Sequence, residues 1–302
     1  MISIIVATKN RQSQLVDCLQ SIYANRFKDF EVIVIEQSRV PSNGNMFRYP
    51  HLTHLQQHQH GKSRALNLGI TLARGDILAF TDDDCVVDHD WIRSILDFFT
   101  HHPDIDGVFG KILPYQQRSH KNEICPCVCA RNKSAVITKP CLHYEYIGFG
   151  NNKAFRKKVF EKIGNFKPWL GPGSIGSNCE DGEIAQRALI HGHSIGYNPN
   201  MIVYHNKWLT AEKMRIQQLS YVCGEMACYG YFSFQHYDFA KPVVKKNITD
   251  TYWKIRKILK QILVGGVNGE LVNTIKYTCL EAIFILCGLV VGLFYSIVDP
   301  IR

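Results

Sequence analysis

The stretch ISIIVATKNRQSQLVDCLQSIYANRFKDFEVIVIE, residues 2–36, decides the fold. Its first run, Ile2 to Ala7, is apolar and rich in β-branched residues, which is typical of a buried strand. Apolar residues then recur at helical spacing from Leu15 to Tyr23, and a second apolar run covers Phe30 to Ile35. A strand, a helix and a strand this close together predict a βαβ unit, whose two strands are parallel and joined by a right-handed crossover.

The same alternation continues along the chain. Ser13 is the expected N-cap of the first helix. Residues 61–73 predict a helix, residues 76–81 (DILAFT) a third buried strand, residues 89–99 another helix and residues 107–112 a further strand. The sequence therefore predicts an α/β fold built on a mostly parallel sheet with helices on both faces.

Three polar clusters follow predicted strands: Thr8–Arg11, Glu36–Ser38 and Asp82–Asp84. In open α/β sheets, ligands bind beyond the carboxyl ends of the strands, so these clusters are expected to converge on one site. No G-x-G-x-x-G follows the first strand and no G-x-x-x-x-G-K-[ST] is present, which disfavours dinucleotide oxidoreductases and P-loop NTPases.

Composition narrows the class of protein further. The 302 residues carry 35 Lys and Arg against 26 Asp and Glu, a net charge of +9, which suits an anionic partner such as a nucleotide, a phospholipid surface or a nucleic acid. No recognised nucleic-acid-reading motif accompanies this charge, and we expect no nucleic-acid partner. The first ten residues do not resemble a signal peptide, and the eleven scattered cysteines favour reduced thiols in the cytosol.

Asp82, Asp83 and Asp84 form the sharpest local signal. Three adjacent carboxylates repel one another and are most easily tolerated when a cation neutralises them, and oxygen ligands favour Mg²⁺ or Mn²⁺. The alternative is a solvated acidic turn or helix start. Two other metal candidates are disfavoured. The cysteine group lacks C-x₂-C spacing; it comprises Cys125, Cys127, Cys129 and Cys141. The histidine group is equally well explained by a solvated loop and a short strand; it comprises His51, His54, His58 and His60.

Further candidates lie at element ends. Asp181 is either a helix cap or a general base for an acceptor hydroxyl, with Glu180 beside it. His205 ends a predicted strand and is either a structural histidine or a ligand. Lys62 and Arg64 begin a helix, where phosphate is favoured, although simple surface solvation would also explain them.

The last part of the chain changes in composition. Ile255, Ile258, Leu259, Ile262 and Leu263 share one helical face among many lysines, which predicts a basic amphipathic helix at a membrane surface or, alternatively, a surface helix docked on the domain. Residues 282–298 lack any charge and are of marginal length for a membrane span. We therefore divide the chain into a catalytic domain, residues 1–240, and a membrane-associated tail, residues 241–302.

Taken together, these segments resemble family 2 glycosyltransferases, which have the GT-A fold. The resemblance covers residues 2–205 and rests on motifs in the family's order. They are SIIVATKNR (3–11), FEVIVIEQS (30–38), HGKSRALNLGI (60–70), FTDDDC (80–85), and GNNKAFRKKVFEKIGNF (150–166), followed by GPG (171–173) and Glu180–Asp181. Glu36 and Gln37 replace two acids of the family pattern, and Leu66 replaces an arginine, so that Arg64 would have to serve the phosphates.

The resemblance implies a GT-A sheet with a Rossmann-like nucleotide-binding half, an acceptor half, and here a helical C-terminal extension. It also implies inversion at the anomeric carbon. Asp181 becomes the base that deprotonates the acceptor, and Glu180 orients nearby groups. The residues assigned to the nucleotide sugar are Thr8, Arg11, Glu36, Ser38, Arg64, Asp82 and Asp83. Those assigned to Mn²⁺ or Mg²⁺ are Asp82, Asp84 and His205.

The function expected from the sequence is sugar transfer from a nucleotide-diphosphate sugar to an acceptor hydroxyl. A UDP-sugar is favoured over a GDP- or dTDP-sugar, and the acceptor is a glycan or a lipid-linked glycan. The basic, apolar tail indicates the cytoplasmic face of the cell membrane, reached by peripheral binding or by a single C-terminal anchor. The alternatives are a sugar nucleotidyltransferase that releases pyrophosphate and a non-catalytic nucleotide-sugar-binding protein.

Overall fold

The computed structural model describes residues 1–40, 48–115, 122–141, 147–265 and 268–301. It divides the chain into two compact units. The first unit comprises Met1–Pro168 and Glu180–Met214, and the second comprises Trp169–Cys179 and Arg215–Arg302. The boundary at residue 240 between a catalytic domain and a tail stays a prediction.

Strands and helices alternate through the first unit, and helices make up most of the second. The strands are β1 (Ile2–Thr8), β2 (Phe30–Glu36), β3 (Leu52–Gln56), β4 (Ile77–Asp82), β5 (Cys85–Val87), β6 (Gly107–Pro114), β7 (Glu123–Ile124), β8 (Ala135–Ile137), β9 (Asn152–Arg156), β10 (Ile195–His205) and β11 (Leu209–Thr210). The helices are α1 (Gln12–Tyr23), α2 (Lys62–Leu72), α3 (Trp91–His101), α4 (Lys157–Ile163), α5 (Glu180–Ile190), α6 (Ala211–Phe234), α7 (Lys241–Gly265) and α8 (Gly269–Val298).

The main sheet has the order β3-β2-β1-β4-β9-β6-β10-β5, and β8 also pairs with β10. The predicted βαβ unit is confirmed, because β1 runs parallel to β2 with Ile2 opposite Phe30. β4 and β3 extend the parallel half. β9 is antiparallel to both β4 and β6, and β5 is antiparallel to β10. β6 and β10 form a further, long parallel pair. Most of the paired residues of the sheet are therefore in parallel pairs, as predicted.

Two apolar cores cover the two faces of this sheet. Ile4 of β1 belongs to the core formed with α1 and α3, whereas Ile5 belongs to the core formed with α2, α4 and α5. Successive strand residues point to opposite faces, so a strand covered on both sides must be apolar at every position. This requirement explains the unbroken apolar runs of β1 and β2.

The prediction that Ser13 caps the first helix is wrong. Helix α1 begins at Gln12, the N-cap position is Arg11, and no side chain caps the helix. Ser13 therefore lies inside the first turn, where its hydroxyl bonds the side chain of Gln14 instead. All eleven cysteines lie within the described residues, and none of them forms a disulfide.

Asn152 on β9 holds three neighbouring elements together. Its side-chain oxygen accepts from Trp91 Nε1 at 2.9 Å, and its amide nitrogen donates to the carbonyls of Lys111 and Met201, each at 2.8 Å. The register of β10 against β6 shifts between Asn198 and Ile202, and Met201 lies within that irregularity. The amide therefore satisfies backbone groups that a regular ladder would pair.

Replacing this amide should destabilise the first unit. We expect Asn152→Ala to lower the free energy of unfolding by about 3 kcal/mol, because it leaves a buried indole N–H and two carbonyls without a partner. The measurement is urea denaturation followed by circular dichroism. Asn132→Ala, at an exposed position whose side chain bonds Lys111 Nζ, is the matched control and should change stability by less than about 0.5 kcal/mol. Equal losses in the two variants would contradict this assignment.

Candidate active site

The strand ends of β1 and β4 are joined through Asp83. Its carboxylate accepts from Thr8 Oγ1 at 2.7 Å and from Arg11 Nη1 at 2.9 Å. Arg11 Nη1 also lies 2.9 Å from Asp84 Oδ2, so one guanidinium serves two adjacent carboxylates. Burial raises the pKa of Asp83 to about 6, against the opposing effect of Arg11. Asp83 therefore anchors the acidic turn within the protein.

Asp84 and His205 meet where β4 and β10 end. His205 Nε2 lies 3.4 Å from Asp84 Oδ1, and His205 Nδ1 lies 2.8 Å from the carbonyl oxygen of Pro126. Because a carbonyl only accepts, Nδ1 must carry a proton, which leaves Nε2 directed at the carboxylate. Burial opposes ionisation of both groups, but their mutual hydrogen bond raises the pKa of His205 to about 10 and holds that of Asp84 well below its usual range.

This pair fits a divalent cation. One ligand atom from each of Asp84, Cys85 and His205 falls within 4.8 Å of the others, and all three residues are buried. A cation bound here would displace the proton that His205 Nε2 shares with Asp84, and a carboxylate with an imidazole whose second nitrogen is already fixed by a carbonyl then forms a usable ligand set. Asp82 is not part of this group of three residues; its carboxylate forms an ion pair with Lys62 instead.

Lys62, at the start of α2, connects the acidic turn with the start of α5. Its Nζ lies 2.6 Å from Asp82 Oδ1 and 3.3 Å from Glu180 Oε1. Burial opposes its charge, but Asp82 and Glu180 keep its pKa well above the usual value. The second oxygen of Glu180, Oε2, is buried and has no hydrogen-bond partner among the described residues. Such an acceptor suits a hydroxyl group of a ligand.

Asp181 follows Glu180 and is buried, with its carboxylate packed closely against the backbone of Gly150. A Cβ on Gly150 would lie 2.8 Å from Asp181 Oδ2, so only glycine fits beside this carboxylate. Lys153 Nζ, on the adjoining strand β9, donates to the carbonyl of Gly150 at 2.8 Å and is fully buried. Burial, and then the neighbouring Glu180, raise the pKa of Asp181, while Lys153 and Lys62 oppose the shift. Burial lowers the pKa of Lys153 to about 8.

The end of β2 shows how the two departures from the family pattern are accommodated. Glu36 is buried, and His54 Nε2 lies 2.9 Å from its Oε2. Gln37 Nε2 donates to the carbonyls of Gln59 and Gly61, which holds the loop before α2. Ser38 Oγ accepts from the backbone N–H of Asn10 at 2.7 Å. Ser38 is thus tied to the loop after β1, and Glu36 to His54 of β3.

Other predicted residues are not brought into this network. Arg64 is exposed on α2, and Lys62 is the basic side chain that reaches the carboxylates. Of the disfavoured zinc cysteines, Cys125 does contact the site, because it lies against His205, whereas Cys129 lies against Tyr197 and Cys141 against Gln186. Of the four clustered histidines, His54 belongs to the site through Glu36.

Sequence reasoning missed Lys153, Cys85 and the partnership of His54 with Glu36. A lysine between Asn152 and Ala154 in a strand that is otherwise buried was a usable signal, since fully buried lysines are rare unless paired. Nothing in the sequence marks the pairing of His54 with Glu36, because β3 and β2 meet only in the sheet.

This sheet and its acidic carboxyl edge define a GT-A-type glycosyltransferase architecture. S. aureus TarS (residues 1–349) aligns over 99% of this chain and 87% of its own, with a TM-score of 0.59 and 14% identity. Mannosyltransferase PcManGT from Pyrobaculum calidifontis, in complex with GDP-Man and Mn²⁺, aligns over 97% of this chain and 87% of its own, with a TM-score of 0.60 and 14% identity.

Residues 3–164, more than half of the chain, match the glycosyl transferase family 2 model, and the chain belongs to that family. A glucosyl-dolichyl phosphate glucuronosyltransferase of Haloferax volcanii is 24% identical over 55% of this chain and 55% of its own length. The O-antigen chain rhamnosyltransferase RfbN of Salmonella typhimurium is 29% identical over 49% of this chain and 46% of its own. The matches thus span about half of these relatives.

The burial of Asp181 should reduce the stability of the protein at neutral pH. When the pKa of a carboxyl is higher in the folded than in the unfolded protein, the free energy of unfolding falls as the pH rises from the unfolded pKa, about 3.9, through the folded pKa. We expect Asp181→Asn to melt at a higher temperature than the wild type at pH 8, with the difference vanishing near pH 4. Thermal unfolding at both pH values measures this. The exposed Asp97→Asn is the control, and a pH-independent difference for Asp181→Asn would contradict the account.

Proposed function

We propose that this chain is a metal-dependent inverting glycosyltransferase that moves a sugar from a nucleoside-diphosphate sugar to an acceptor hydroxyl. The main support for this proposal is the position of Lys62, which forms ion pairs with Asp82 at the acidic turn and with Glu180 beside Asp181. One charged side chain thus joins Asp82, an expected donor residue, to Glu180, the neighbour of the expected base. Membership of family 2 and the architecture shared with other glycosyltransferases support this reading.

The donor side of the reaction falls to the strand ends. Thr8, Arg11, Glu36, Ser38 and Asp83 would form the nucleotide-binding edge, and Asp82 would face the ribose. A UDP-sugar is favoured, with a GDP- or dTDP-sugar as alternatives. TarS, whose structures include complexes with UDP and UDP-GlcNAc, and PcManGT with GDP-Man support a nucleotide sugar of this kind. Arg64 remains a candidate for the phosphates, and Lys62 is the better placed cation.

Asp84 and His205 would hold the divalent cation, Mn²⁺ or Mg²⁺, which supplies positive charge to the diphosphate as it leaves. Asp181 would take the proton from the acceptor hydroxyl, whose oxygen forms the new bond to the anomeric carbon as the bond to the diphosphate breaks. Its raised pKa makes it a stronger base than an exposed aspartate, and Lys153 and Lys62 favour its ionised form. The free oxygen of Glu180 would accept from a sugar or acceptor hydroxyl.

The acceptor is a glycan or a lipid-linked glycan, and the chain works at the cytoplasmic face of the cell membrane. Among the described residues, one helix, Gly269–Val298, is long and apolar enough to cross a membrane by length and composition. The lipid-linked substrate named for the Haloferax volcanii relative supports an acceptor at a bilayer. The tail would reach the membrane by peripheral contact or as a single C-terminal anchor.

The test is the release of nucleoside diphosphate from UDP-, GDP- and dTDP-sugars, with Mn²⁺ and with EDTA. We expect the wild type to release nucleoside diphosphate from one donor in a metal-dependent way. Asp181→Asn should lose about 10²–10⁴-fold in turnover and still bind the donor. Asp84→Ala should show weaker metal-dependent donor binding by calorimetry. Asp97→Asn is the matched control for the first variant. Pyrophosphate release would identify a nucleotidyltransferase. Donor binding without turnover, also when glycan acceptors are added, would identify a binding protein. No donor binding at all would overturn the proposal.

Lys153→Met tests whether this lysine keeps the base ionised. Removing its charge should raise the pKa of Asp181 further, so that the acidic limb of the kcat profile moves to higher pH and activity falls most at low pH. The exposed Lys133→Met should leave the profile in place. An equal loss of kcat at every pH in Lys153→Met would instead indicate a packing role.

A further inference from the structure

Helices α7 and α8 expose apolar side chains along one face each. On α7 the exposed residues recur every three or four positions, which places them in one stripe. They are Ile248, Tyr252, Ile255, Leu259, Ile262 and Leu263. On α8 the stripe is longer, and the exposed residues from Cys279 to Val298 that form it are all uncharged. Its largest members are Ile283, Leu286, Val290, Leu293, Phe294 and Ile297. Exposed apolar surface of this extent indicates an interaction site.

Basic side chains flank the stripe on α7. The helix carries seven Lys and Arg residues against one Asp, and all seven are exposed. By helical periodicity, Lys245, Arg256 and Lys260 lie along one side of the stripe. Arg256 also stacks over Trp253, whose indole is 56% exposed. An apolar stripe bordered by cations and aromatic rings is complementary to an anionic lipid surface, with headgroups beside the cations and acyl chains beneath the stripe.

The opposite face of α8 is packed tightly within the second unit. A Cβ on Gly288 would lie 2.4 Å from the carbonyl oxygen of Cys223, and a Cβ on Gly292 would lie 2.6 Å from that of Ala227. Both carbonyls belong to α6. The two helices therefore touch backbone to backbone, and α8 offers only one face to any other partner.

The C-terminal end of α8 is fixed to a segment that is continuous with the first unit. Tyr295 stacks on the ring of Trp169 at 4.4 Å, and Trp169 Nε1 donates to Asp299 Oδ2 at 3.3 Å. Trp169 directly follows Pro168 in the chain, and the same segment leads at Cys179 into α5 and its Asp181. Within that segment Trp169 lies near Asn178, because the N–H of Gly171 bonds the carbonyl of Asn178. Asp181 comes three residues after Asn178, a reach of about 10 Å, which is too short to cross roughly 30 Å of hydrocarbon.

The other end of α8 is equally restricted. If α8 crossed a bilayer with its C-terminal end on the side of the site, residue 269 would be on the far side. α7 would then have to cross as well, because Lys254 Nζ pairs with Glu281 Oε1 at 2.7 Å and joins the two helices side by side. Burying the exposed lysines of α7 in hydrocarbon would be prohibitively unfavourable.

We propose that α7 and α8 form an in-plane docking surface for an anionic lipid bilayer, and that α8 does not cross it. The inference deepens the membrane part of the proposed function and decides between its two modes of attachment. The stripes enter the acyl boundary from one side, the cations of α7 contact acidic headgroups, and both ends of α8 stay on the side of the catalytic residues.

Vesicle flotation of the full chain tests the lipid preference without donor or acceptor, so its failure is separate from failure of sugar transfer. We expect flotation with phosphatidylglycerol-containing vesicles, weak flotation with phosphatidylcholine alone, and a decrease at high salt. Lys245→Gln with Lys260→Gln should reduce partitioning about 30-fold. Lys133→Gln with Lys139→Gln, exposed in the first unit, is the matched control. No flotation, or equal loss in both pairs, would overturn the proposal.

A protease-cleavage site inserted before Asn268, between α7 and α8, tests the topology on sealed vesicles to which the protein is added from outside. An in-plane α8 leaves this site open to external protease, whereas a crossing α8 places it on the far side and protects it until detergent is added. Protection would overturn the proposal. The alternative is that a second copy of this chain binds the two stripes, and light scattering without vesicles tests it. A stable dimer that the double variant Leu259→Ser with Leu286→Ser converts to monomer, together with absent flotation, would assign the stripes to that second copy.

Discussion

The balance of charge at the carboxyl edge of the sheet is the constraint on which the structure depends. The carboxylates of Asp83, Asp84, Glu180 and Asp181 are all buried there. For the three aspartates, burial by itself would favour the neutral form. Arg11, Lys62, Lys153 and His205 are set among them. Each cation comes from a different element, so the strands and helices must be in register before the charges are compensated.

That balance also separates the roles of chemically identical groups. Asp83 is held by Thr8 and Arg11 and serves as an anchor, whereas Asp84 faces His205 and keeps its charge at any ordinary pH. Asp181 has burial and Glu180 acting against its ionisation, and its carboxylate is packed against Gly150. A carboxylate kept ionised in such surroundings lowers the free energy of unfolding at neutral pH.

The helical part of the chain follows a different rule. In the sheet, both faces of each central strand are covered, and the sequence is apolar at every position. In α8 one face packs on α6 through glycines and the other stays exposed and apolar. Composition alone does not distinguish a span, which is apolar all round because lipid surrounds it, from a helix that meets lipid along one stripe. The distinction lies in what the second face touches.

The sequence by itself determined the βαβ start, the mostly parallel sheet and the order of the acidic motifs, because apolar period and strand-end chemistry are local properties. It also singled out Asp82–Asp84 and Glu180–Asp181, which follow predicted element boundaries. Only the tertiary structure decided that Lys62 joins Asp82 to Glu180, that Lys153 is buried near Asp181, and that Ser13 caps nothing. These pairings join residues up to 118 positions apart, and no local pattern specifies which distant charge a buried group will meet.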